Sequence, residues 1–239
     1  VRYQLLAYWY TLFHHAGTSG MPTMRPMWVE FPDDPRTWAM EKQYMVGAAL
    51  LVVPVTARGA TSVGAYLPAG RWYDVDDGKA LDGPADRTLA APLTKMPVFQ
   101  RGGAVLPRQM RLRRSSAQML HDPYTLVVAP DAAGAAEGEL YMDEGDGYGY
   151  RDADGYQLRR FRFAAGTLAN SATHAGQGWQ PTNTLERVEV LGAAEPSRVT
   201  MTHKGVTSEL SFHMAEATNR LVIRKPGVPM ADDWQITLH

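Results

Sequence analysis

The feature that most constrains this chain is an apolar run from Met45 to Val55, with the sequence MVGAALLVVPV. The run follows a polar segment, is rich in valine and has a proline next to its end. Such a run is typical of a strand buried on both faces, because a surface helix would carry polar residues on its outer face. We therefore expect one fully buried strand here, in the core of the first β-domain.

Most of the chain beyond this run alternates apolar and polar residues with a period of two, which predicts strands with one buried face. Turn sequences separate these segments, as at Asp76-Asp77-Gly78, and Gly102-Gly103 predicts a bulge or tight bend. Short strands at this spacing indicate a sandwich or a barrel. The predicted strands are 63–67, 71–75, 98–106, 124–129, 139–142, 161–163, 188–190, 199–202 and 234–238.

Two further segments organise the chain. Residues 23–31 are predicted to be extended, with a short helical turn between Arg36 and Tyr44 leading into the apolar run. The polar and basic segment from Met110 to His121 is predicted to link two β-rich units. The pattern as a whole predicts a mainly β chain with two sheet domains.

The N-terminal residues 2–18 carry an apolar stripe at helical spacing. Apolar side chains recur three and four residues apart, which predicts one amphipathic helix, and they are Leu5, Leu6, Trp9, Leu12, Phe13 and Ala16. Gly17 or Gly20 can cap the helix, and Pro22 lies just beyond. We expect this stripe to need a partner that the neighbouring sequence does not supply. Because Val1 is not a methionine, the sequence indicates an internal fragment of a longer protein.

The composition excludes several classes of protein. The 239 residues have a formal net charge of −1, which gives no reason to expect nucleic acid or an anionic membrane as a partner. The absence of cysteine excludes disulfides and thiolate zinc sites but leaves the cellular compartment open. No stretch reaches the roughly 18 unbroken apolar residues of a membrane-spanning segment.

Adjacent carboxylates are candidates for catalytic chemistry. A glycosidase needs two carboxyl groups held about 5 Å apart or more, and adjacent pairs occur at Asp33/Asp34, Asp76/Asp77 and Asp143/Glu144. Each pair lies in a turn sequence, and neighbours on an extended chain point apart. We therefore expect all three pairs to lie on the surface.

The acidic loop from Asp143 to Asp154 raises the possibility of calcium. An EF-hand loop needs oxygen ligands at its third and fifth positions, but Gly145 and Gly147 occupy them when the loop starts at Asp143. A calcium site of another kind stays open, and a solvated hairpin tip is the interpretation we favour. The sequence thus predicts no catalytic, cofactor-binding or metal-ligating residue, and no cofactor.

Histidine and tryptophan are the other residue types that could form a site. His14 and His15 are adjacent on the helix, so they cannot share a metal the way residues four apart can. The six tryptophans could stack on sugars, but Trp9, Trp72 and Trp234 lie in phase with the predicted core. Burial is the favoured interpretation for those three.

A series of stretches, in the same order along the chain, resembles glycoside hydrolase family 31. The stretches are Arg2 to Leu6, Trp9 to Phe13, Arg25 to Trp28, Glu30 to Asp33, Gly47 to Val55, Trp72 to Asp74, Pro97 to Gly103, and Gly138 to Gly145. Further likeness lies in Met110 to Ser116, Leu158 to Phe161, Arg224 to Gly227, and Asp233-Trp234. The resemblance covers essentially the whole chain.

The resemblance implies an architecture. Residues 1–23 would be the C-terminal remnant of a (β/α)8 catalytic barrel, with the helix as its last. Residues 24–113 would form a proximal antiparallel β-sandwich, and residues 114–239 a distal one.

The resemblance also implies an activity. The whole protein would be a retaining α-glucosidase that removes α-1,3-linked glucose from N-linked glycans in the endoplasmic reticulum lumen, with a non-catalytic β subunit as partner. Its two catalytic aspartates would belong to earlier barrel strands, so this segment would support the barrel and be inactive alone.

A second hypothesis is a β-sandwich module that binds carbohydrate or docks a partner subunit. Its basis is the number of aromatic residues and the arginine-rich segment from Arg108 to Arg114. We also expect poor solubility of the isolated chain, because Leu5, Trp9, Leu12 and Phe13 would be exposed.

Overall fold

The computed structural model describes residues 2–239, and the predicted N-terminal helix is present. A 3₁₀ turn over Tyr3–Leu5 leads into helix α1, which spans Leu6–Ser19. Gly20 ends the helix with φ +76°, and its N–H donates to the carbonyl of Ala16 at 3.0 Å. Glycine adopts this left-handed conformation without the strain that a side chain would add. The sequence prediction of this helix is confirmed.

One face of α1 is covered by the chain's own strands. Leu5, Tyr8 and Leu12 are buried and belong to a cluster with Leu50 and Leu106. The expectation that the stripe lacks a partner is therefore wrong for Leu5 and Leu12. Helical spacing identifies an apolar face, but the strands that cover this one come from parts of the chain distant in sequence.

The remainder of the stripe is open to solvent. Phe13 is 56% exposed, while Leu6, Trp9 and Ala16 are only partly buried. The burial of Trp9 expected from the sequence is thus incomplete. Helix α1 therefore has one face packed on the sheets and another that presents apolar side chains outward.

A first sheet of six strands is antiparallel throughout, in the order β1-β2-β3-β6-β4-β5. Its core includes fully buried Trp72, as the sequence predicts, together with Phe99 and Leu67. The strands are β1 (Met24–Pro26), β2 (Tyr44–Val46), β3 (Leu50–Val52), β4 (Ser62–Asp74), β5 (Ala80–Ala90) and β6 (Val98–Arg101).

The apolar run that the sequence predicts as one strand is a hairpin. Strands β2 and β3 pair antiparallel with Val46 opposite Leu50, and a turn over residues 47–49 joins them. Gly47 allows this turn because it has φ +55°, and its N–H donates to the carbonyl of Thr23 at 2.8 Å. The predicted burial is confirmed, but the single strand is wrong, since hydrophobicity alone does not reveal a reversal at a glycine.

Residues 23–31 are only partly extended. Strand β1 is followed by helix α2, a single turn over Met27–Glu30 whose N-cap is Pro26. The turn places the Met27 side chain in the core of the first sheet. The extended prediction is therefore wrong for this turn. The turn predicted between Arg36 and Tyr44 is present only at the start of that range, as a 3₁₀ helix over Pro35–Thr37.

The two strands predicted at 63–67 and 71–75 are one strand, β4. Its pairing with β5 shifts register between Leu67 and Gly70, which marks a bulge where the sequence predicts a turn. The bulge keeps Leu67 and Trp72 in the same core even though a proline interrupts the alternation between them.

A second sheet of eleven strands has the order β14-β13-β17-β11-β10-β9-β7-β8-β12-β16-β15. Its core includes Phe161, Val188 and Trp234, each predicted from the alternation. The strands are β7 (Ala104–Arg108), β8 (Tyr124–Ala129), β9 (Ala136–Asp143), β10 (Tyr156–Ala164), β11 (Thr167–Ala175), β12 (Leu185–Leu191), β13 (Val199–His203), β14 (Val206–Glu209), β15 (Phe212–Ala215), β16 (Arg220–Arg224) and β17 (Trp234–Leu238). A short helix, α3 (Gly149–Asp152), lies between β9 and β10.

The resemblance implied a wholly antiparallel distal domain, but the second sheet also contains parallel pairs. Strands β8 and β12 are parallel, with Val127 opposite Glu189, and a single parallel bridge joins Ala104 of β7 to Glu137 of β9. Parallel neighbours need a long connection, and the chain between β8 and β12 supplies one. The observed fold is mainly β with two sheets.

The chain passes from the first sheet to the second at Gly102-Gly103. Strand β6 ends the first sheet before this pair, and β7 begins the second sheet after it. The predicted linker from Met110 to His121 is irregular apart from a 3₁₀ turn over Ser116–Met119, but it joins β7 to β8 within one sheet. The domain limits at 23 and 113 stay predictions.

Candidate functional site

Helix α1 meets the second sheet at a buried carboxylate. The Tyr10 hydroxyl lies 2.8 Å from both carboxylate oxygens of Asp143 and donates a hydrogen bond to the carboxylate. The Tyr141 hydroxyl donates to Oδ2 at 2.8 Å, and the N–H of Gly145 donates to Oδ1 at 2.8 Å. Asp143 is only 5% exposed. The solvated hairpin tip expected from the sequence is therefore wrong for Asp143, which three donors hold inside the protein.

Protonation of both phenols is favoured in this cluster. Burial raises the pKa of Tyr10 and of Tyr141 well above the ordinary tyrosine value, and the hydrogen bond to Asp143 raises each further. Both hydroxyls therefore keep their protons at neutral pH and act as donors. Thr11, one residue further along α1, adds a second link because its Oγ1 accepts from the N–H of Tyr141 at 3.0 Å.

Aromatic rings extend from this cluster across the second sheet. His14 stacks on Tyr141 with ring centroids 4.2 Å apart, and His174 stacks on Tyr156 at 3.9 Å. The centroids of Tyr141 and Tyr156 are 5.4 Å apart, which makes the four rings one continuous row. Burial lowers the pKa of His14, so the neutral ring is favoured in this packing.

His15 does not share a ligand with its neighbour. Its Nε2 lies 2.8 Å from a carboxylate oxygen of Glu139 on β9, which fixes the second histidine to the sheet rather than to a metal. Among residues 2–239, no group of three or more His, Cys, Asp or Glu side chains is arranged to hold a metal ion.

A groove of about 470 Å³ lies beside the Tyr10–Asp143 contact, between α1 and the second sheet. Its walls are largely aromatic and aliphatic, and carboxylates and amides lie among them. The residues that line it include Leu6, Trp9, Tyr10, Phe13, Tyr124, Tyr141, Asp143, Glu144 and Trp179. The outward apolar face of α1 therefore forms one wall of an open groove.

Two of the adjacent carboxylate pairs lie in turns, where their side chains form hydrogen bonds and ion pairs. Asp34 caps the 3₁₀ helix by accepting from the N–H of Arg36 at 3.1 Å, and its other oxygen accepts from the Tyr66 hydroxyl at 2.6 Å. Asp76 lies 3.3 Å from the amine of Lys95. These contacts give the carboxylates a structural role in loops.

The third pair is divided between interior and surface. Asp143 is buried, whereas Glu144 is exposed and accepts from the N–H of Gly149 at 3.2 Å, which closes the loop. Further along, Asp152 pairs with Arg151 at 2.7 Å. The site thus consists of satisfied hydrogen bonds and packing surface, and its chemistry is that of a contact region.

The sequence reasoning missed the partnership of Tyr10 with Asp143. Both residues lie in stretches that carry the family resemblance, which was the available signal. Their meeting depends on how α1 packs on β9, and neither helical spacing nor strand alternation contains that information.

Comparison with known proteins defines the class of this chain. The sequence profile described as the glycosyl hydrolase family 31 C-terminal domain matches residues 20–106. That stretch contains the whole first sheet and the start of β7. Residues 20–106 are therefore similar to the β-rich C-terminal domain of family 31 glycosyl hydrolases.

Curated relatives extend the likeness to the whole chain. Neutral alpha-glucosidase AB of Mus musculus is 44% identical over 240 residues, covering 99% of this chain and 25% of the relative. A probable glucan 1,3-alpha-glucosidase of Oryza sativa subsp. japonica is 39% identical over 249 residues, covering 100% of this chain and 27% of the relative. The chain thus spans about a quarter of the length of these relatives.

Solved structures show the same fold. One structure, of an ER glucosidase II heterodimeric complex of catalytic subunit and regulatory-subunit binding domain, gives a TM-score of 0.92 at 34% identity. That match covers 100% of this chain and 28% of the other. A Flavobacterium johnsoniae GH31 dextranase complexed with glucose gives a TM-score of 0.81 at 23% identity. The match covers 99% of this chain and 31% of the dextranase, and this likeness concerns the fold alone. The chain belongs to glycoside hydrolase family 31.

Both curated relatives named above carry the name of an alpha-glucosidase, the rice protein as a probable one. Among residues 2–239, no helix is long and apolar enough to cross a membrane.

Proposed function

We propose that this chain is the C-terminal part of a retaining α-glucosidase and that it braces the catalytic barrel without supplying the catalytic aspartates. Helix α1 would be the last helix of that (β/α)8 barrel. The strands that follow would form a proximal β-sandwich over residues 24–113 and a distal one over residues 114–239.

The two-faced packing of α1 carries this proposal. Leu5, Tyr8 and Leu12 form its inner face and are buried against the chain's own strands. Phe13 and Tyr10 remain 56% and 40% exposed. An apolar helix face of this kind is typical of a contact with another structural layer. Because the chain covers about a quarter of its relatives, the remaining length can supply that layer.

The substrate proposal rests on the relatives. A removal of α-1,3-linked glucose from N-linked glycans is supported by likeness to a probable glucan 1,3-alpha-glucosidase and to a glucosidase II alpha subunit described as Glc1Man2-bound. The ER lumen as location and a regulatory β subunit as partner are supported by likeness to the catalytic subunit of the ER heterodimeric complex.

Fragment complementation tests the bracing role. We expect no turnover of p-nitrophenyl α-glucoside by the 239-residue chain alone. We expect activity when the chain is co-expressed with mouse neutral alpha-glucosidase AB from which the 240 matching residues have been removed. Turnover by the chain alone, or no association with the truncated enzyme, would contradict the proposal.

A matched pair of variants locates the contact. Phe13→Glu places a charge on the outward face of α1 and should abolish complementation, since burying an unpaired charge is costly. Leu93→Glu changes an equally apolar side chain that is fully exposed in a loop, and it should leave complementation intact. Equal loss in both variants would show that α1 is not the contact.

A further inference from the structure

Two exposed tryptophans line one groove beside the first sheet. Trp28 on α2 is 50% exposed, and Trp38 just after the 3₁₀ helix Pro35–Thr37 is 62% exposed. Both side chains line the same groove, together with Met40, and this groove has a volume of about 500 Å³. Small-molecule sites commonly have volumes of about 300–1,000 Å³. This groove therefore has the size of a ligand site and does not belong to the groove beside α1.

The indole of Trp38 is held in place although it is exposed. Its Nε1–H donates to the carbonyl of Pro32 at 2.8 Å. The residue before it, Thr37, is fully buried, and its hydroxyl lies 2.9 Å from the carbonyl of Phe31 and 2.8 Å from that of Asp34. Because the indole N–H already has its acceptor, the ring offers a flat apolar face whose orientation the backbone fixes.

Trp28 is anchored by the single turn of α2. The single turn of α2 buries Met27 completely in the core of the first sheet, and the N–H of Phe31 closes the turn on the Met27 carbonyl at 3.0 Å. The neighbouring Trp28 side chain is thereby turned outward. Both indoles are therefore presented by rigid turns, so little conformational entropy would be lost on binding.

Polar groups stand beside the two indoles. Arg25 forms an ion pair with Glu30 at 2.5 Å, and its Nε donates to the carbonyl of Pro22 at 2.8 Å. Glu41 also lines the groove and is exposed. The groove thus combines flat apolar faces with a carboxylate and a guanidinium, as sites that fix small polar ligands do.

These features match the chemistry of a pyranose chain. A sugar ring presents C–H groups on its face, which pack against an aromatic ring, and hydroxyls at its edge, which bond to charged planar groups. We propose that the groove between Trp28 and Trp38 binds a gluco-oligosaccharide. The glucose class of the ligand rests on the proposed function, whereas the site itself rests on the two fixed indoles.

Indole NMR signals of the 239-residue chain test this proposal. Maltotriose and nigerose are titrated into the ¹⁵N-labelled chain. The titration extends to about 20 mM because a site this small has millimolar affinity. Saturable shifts are expected for the indole signals of Trp28 and Trp38, which the variants Trp28→Phe and Trp38→Phe assign. Signals of buried Trp72 and Trp234 should not move.

Variants separate this site from other surfaces. Trp38→Ala and Trp28→Ala should each weaken binding about tenfold, since each removes one stacking face, and both side chains are exposed enough for the fold to persist. Leu93→Ala removes an exposed apolar side chain elsewhere and should bind as the unchanged chain does. An unchanged circular dichroism spectrum confirms folding of each variant.

Two results would overturn the inference. One is the absence of saturable shifts for both sugars, and the other is binding that survives in both Trp28→Ala and Trp38→Ala. Binding is measured without hydrolysis and without the truncated partner enzyme. A failure of complementation and a failure of sugar binding are therefore separate outcomes.

Discussion

The hydroxyl of Tyr10 on helix α1 lies 2.8 Å from each carboxylate oxygen of Asp143 at the end of β9, across 133 residues of sequence. Asp143 also accepts from Tyr141 and from the backbone of Gly145. This contact holds α1 against the second sheet, and it lies beside the groove that the outward face of the helix lines.

Removal of either partner should therefore loosen the helix. Asp143→Ala leaves the buried Tyr141 hydroxyl and the partly exposed Tyr10 hydroxyl without their acceptor, and we expect a loss of about 3 kcal/mol in the free energy of unfolding. Tyr10→Phe should cost about 1 kcal/mol, because it removes one donor of three. Urea denaturation of both single variants and of the double variant measures the coupling between them. Asp146→Asn, an exposed change in the same loop, should stay within about 0.5 kcal/mol.

The turn at Gly47 should tolerate no side chain. A Cβ there would lie 2.2 Å from the Tyr8 hydroxyl and 2.7 Å from a methyl carbon of Leu12, at a backbone φ of +55°. Gly47→Ala combines left-handed strain with overpacking, and we expect a loss of about 3 kcal/mol. Gly59→Ala is the matched control, because Gly59 has φ +75° but open space around it. It should cost about 1 kcal/mol, and equal losses in thermal unfolding would show that the contacts with α1 do not matter.

The two faces of α1 should respond differently to truncation. Leu12→Ala leaves a cavity under the helix and should cost about 3 kcal/mol of unfolding free energy. Phe13→Ala removes an exposed ring and should change stability by less than about 0.5 kcal/mol. Light scattering should also show less self-association in the Phe13 variant. A larger stability loss for Phe13 than for Leu12 would reverse the assignment of the faces.

The linker between β7 and β8 should give the chain acid sensitivity. Arg113 donates to Asp122 from Nε at 2.9 Å and from Nη2 at 2.5 Å, and this guanidinium lowers the pKa of the Asp122 carboxyl. A carboxyl whose pKa is lowered in the folded state stabilises the fold at every pH above its pKa in the unfolded state, which is about 3.9 for aspartate. That contribution is lost as the pH falls through the lower folded value.

The unchanged chain should therefore have a higher free energy of unfolding than Arg113→Gln. This difference should be full at pH 6 and should shrink below about pH 4. Urea denaturation across this range measures it. Arg114→Gln changes the next residue in the sequence, which is exposed, and the difference between its free energy of unfolding and that of the unchanged chain should not vary with pH. If the free energies of unfolding of the Arg113 variant and the unchanged chain differ by the same amount at every pH, the Arg113–Asp122 pair is not the source of the acid sensitivity.

The sequence alone determined the local elements and the family. Helix α1 and strands such as β8 and β17 follow from periodicity and from turn residues, because both depend on side chains only a few positions apart. The burial of Trp72 and Trp234 follows from the same alternation. The ordered stretches identified the family, since they preserve residue identity as well as hydrophobic pattern.

Only the tertiary structure decided which surfaces meet. It turned the apolar run at Gly47 into a hairpin, covered Leu12 but left Phe13 exposed, and moved Asp143 from an expected solvated loop into a buried contact with Tyr10. Each of these outcomes depends on packing between elements far apart in sequence, and a local pattern gives the apolar face of an element without naming its neighbour.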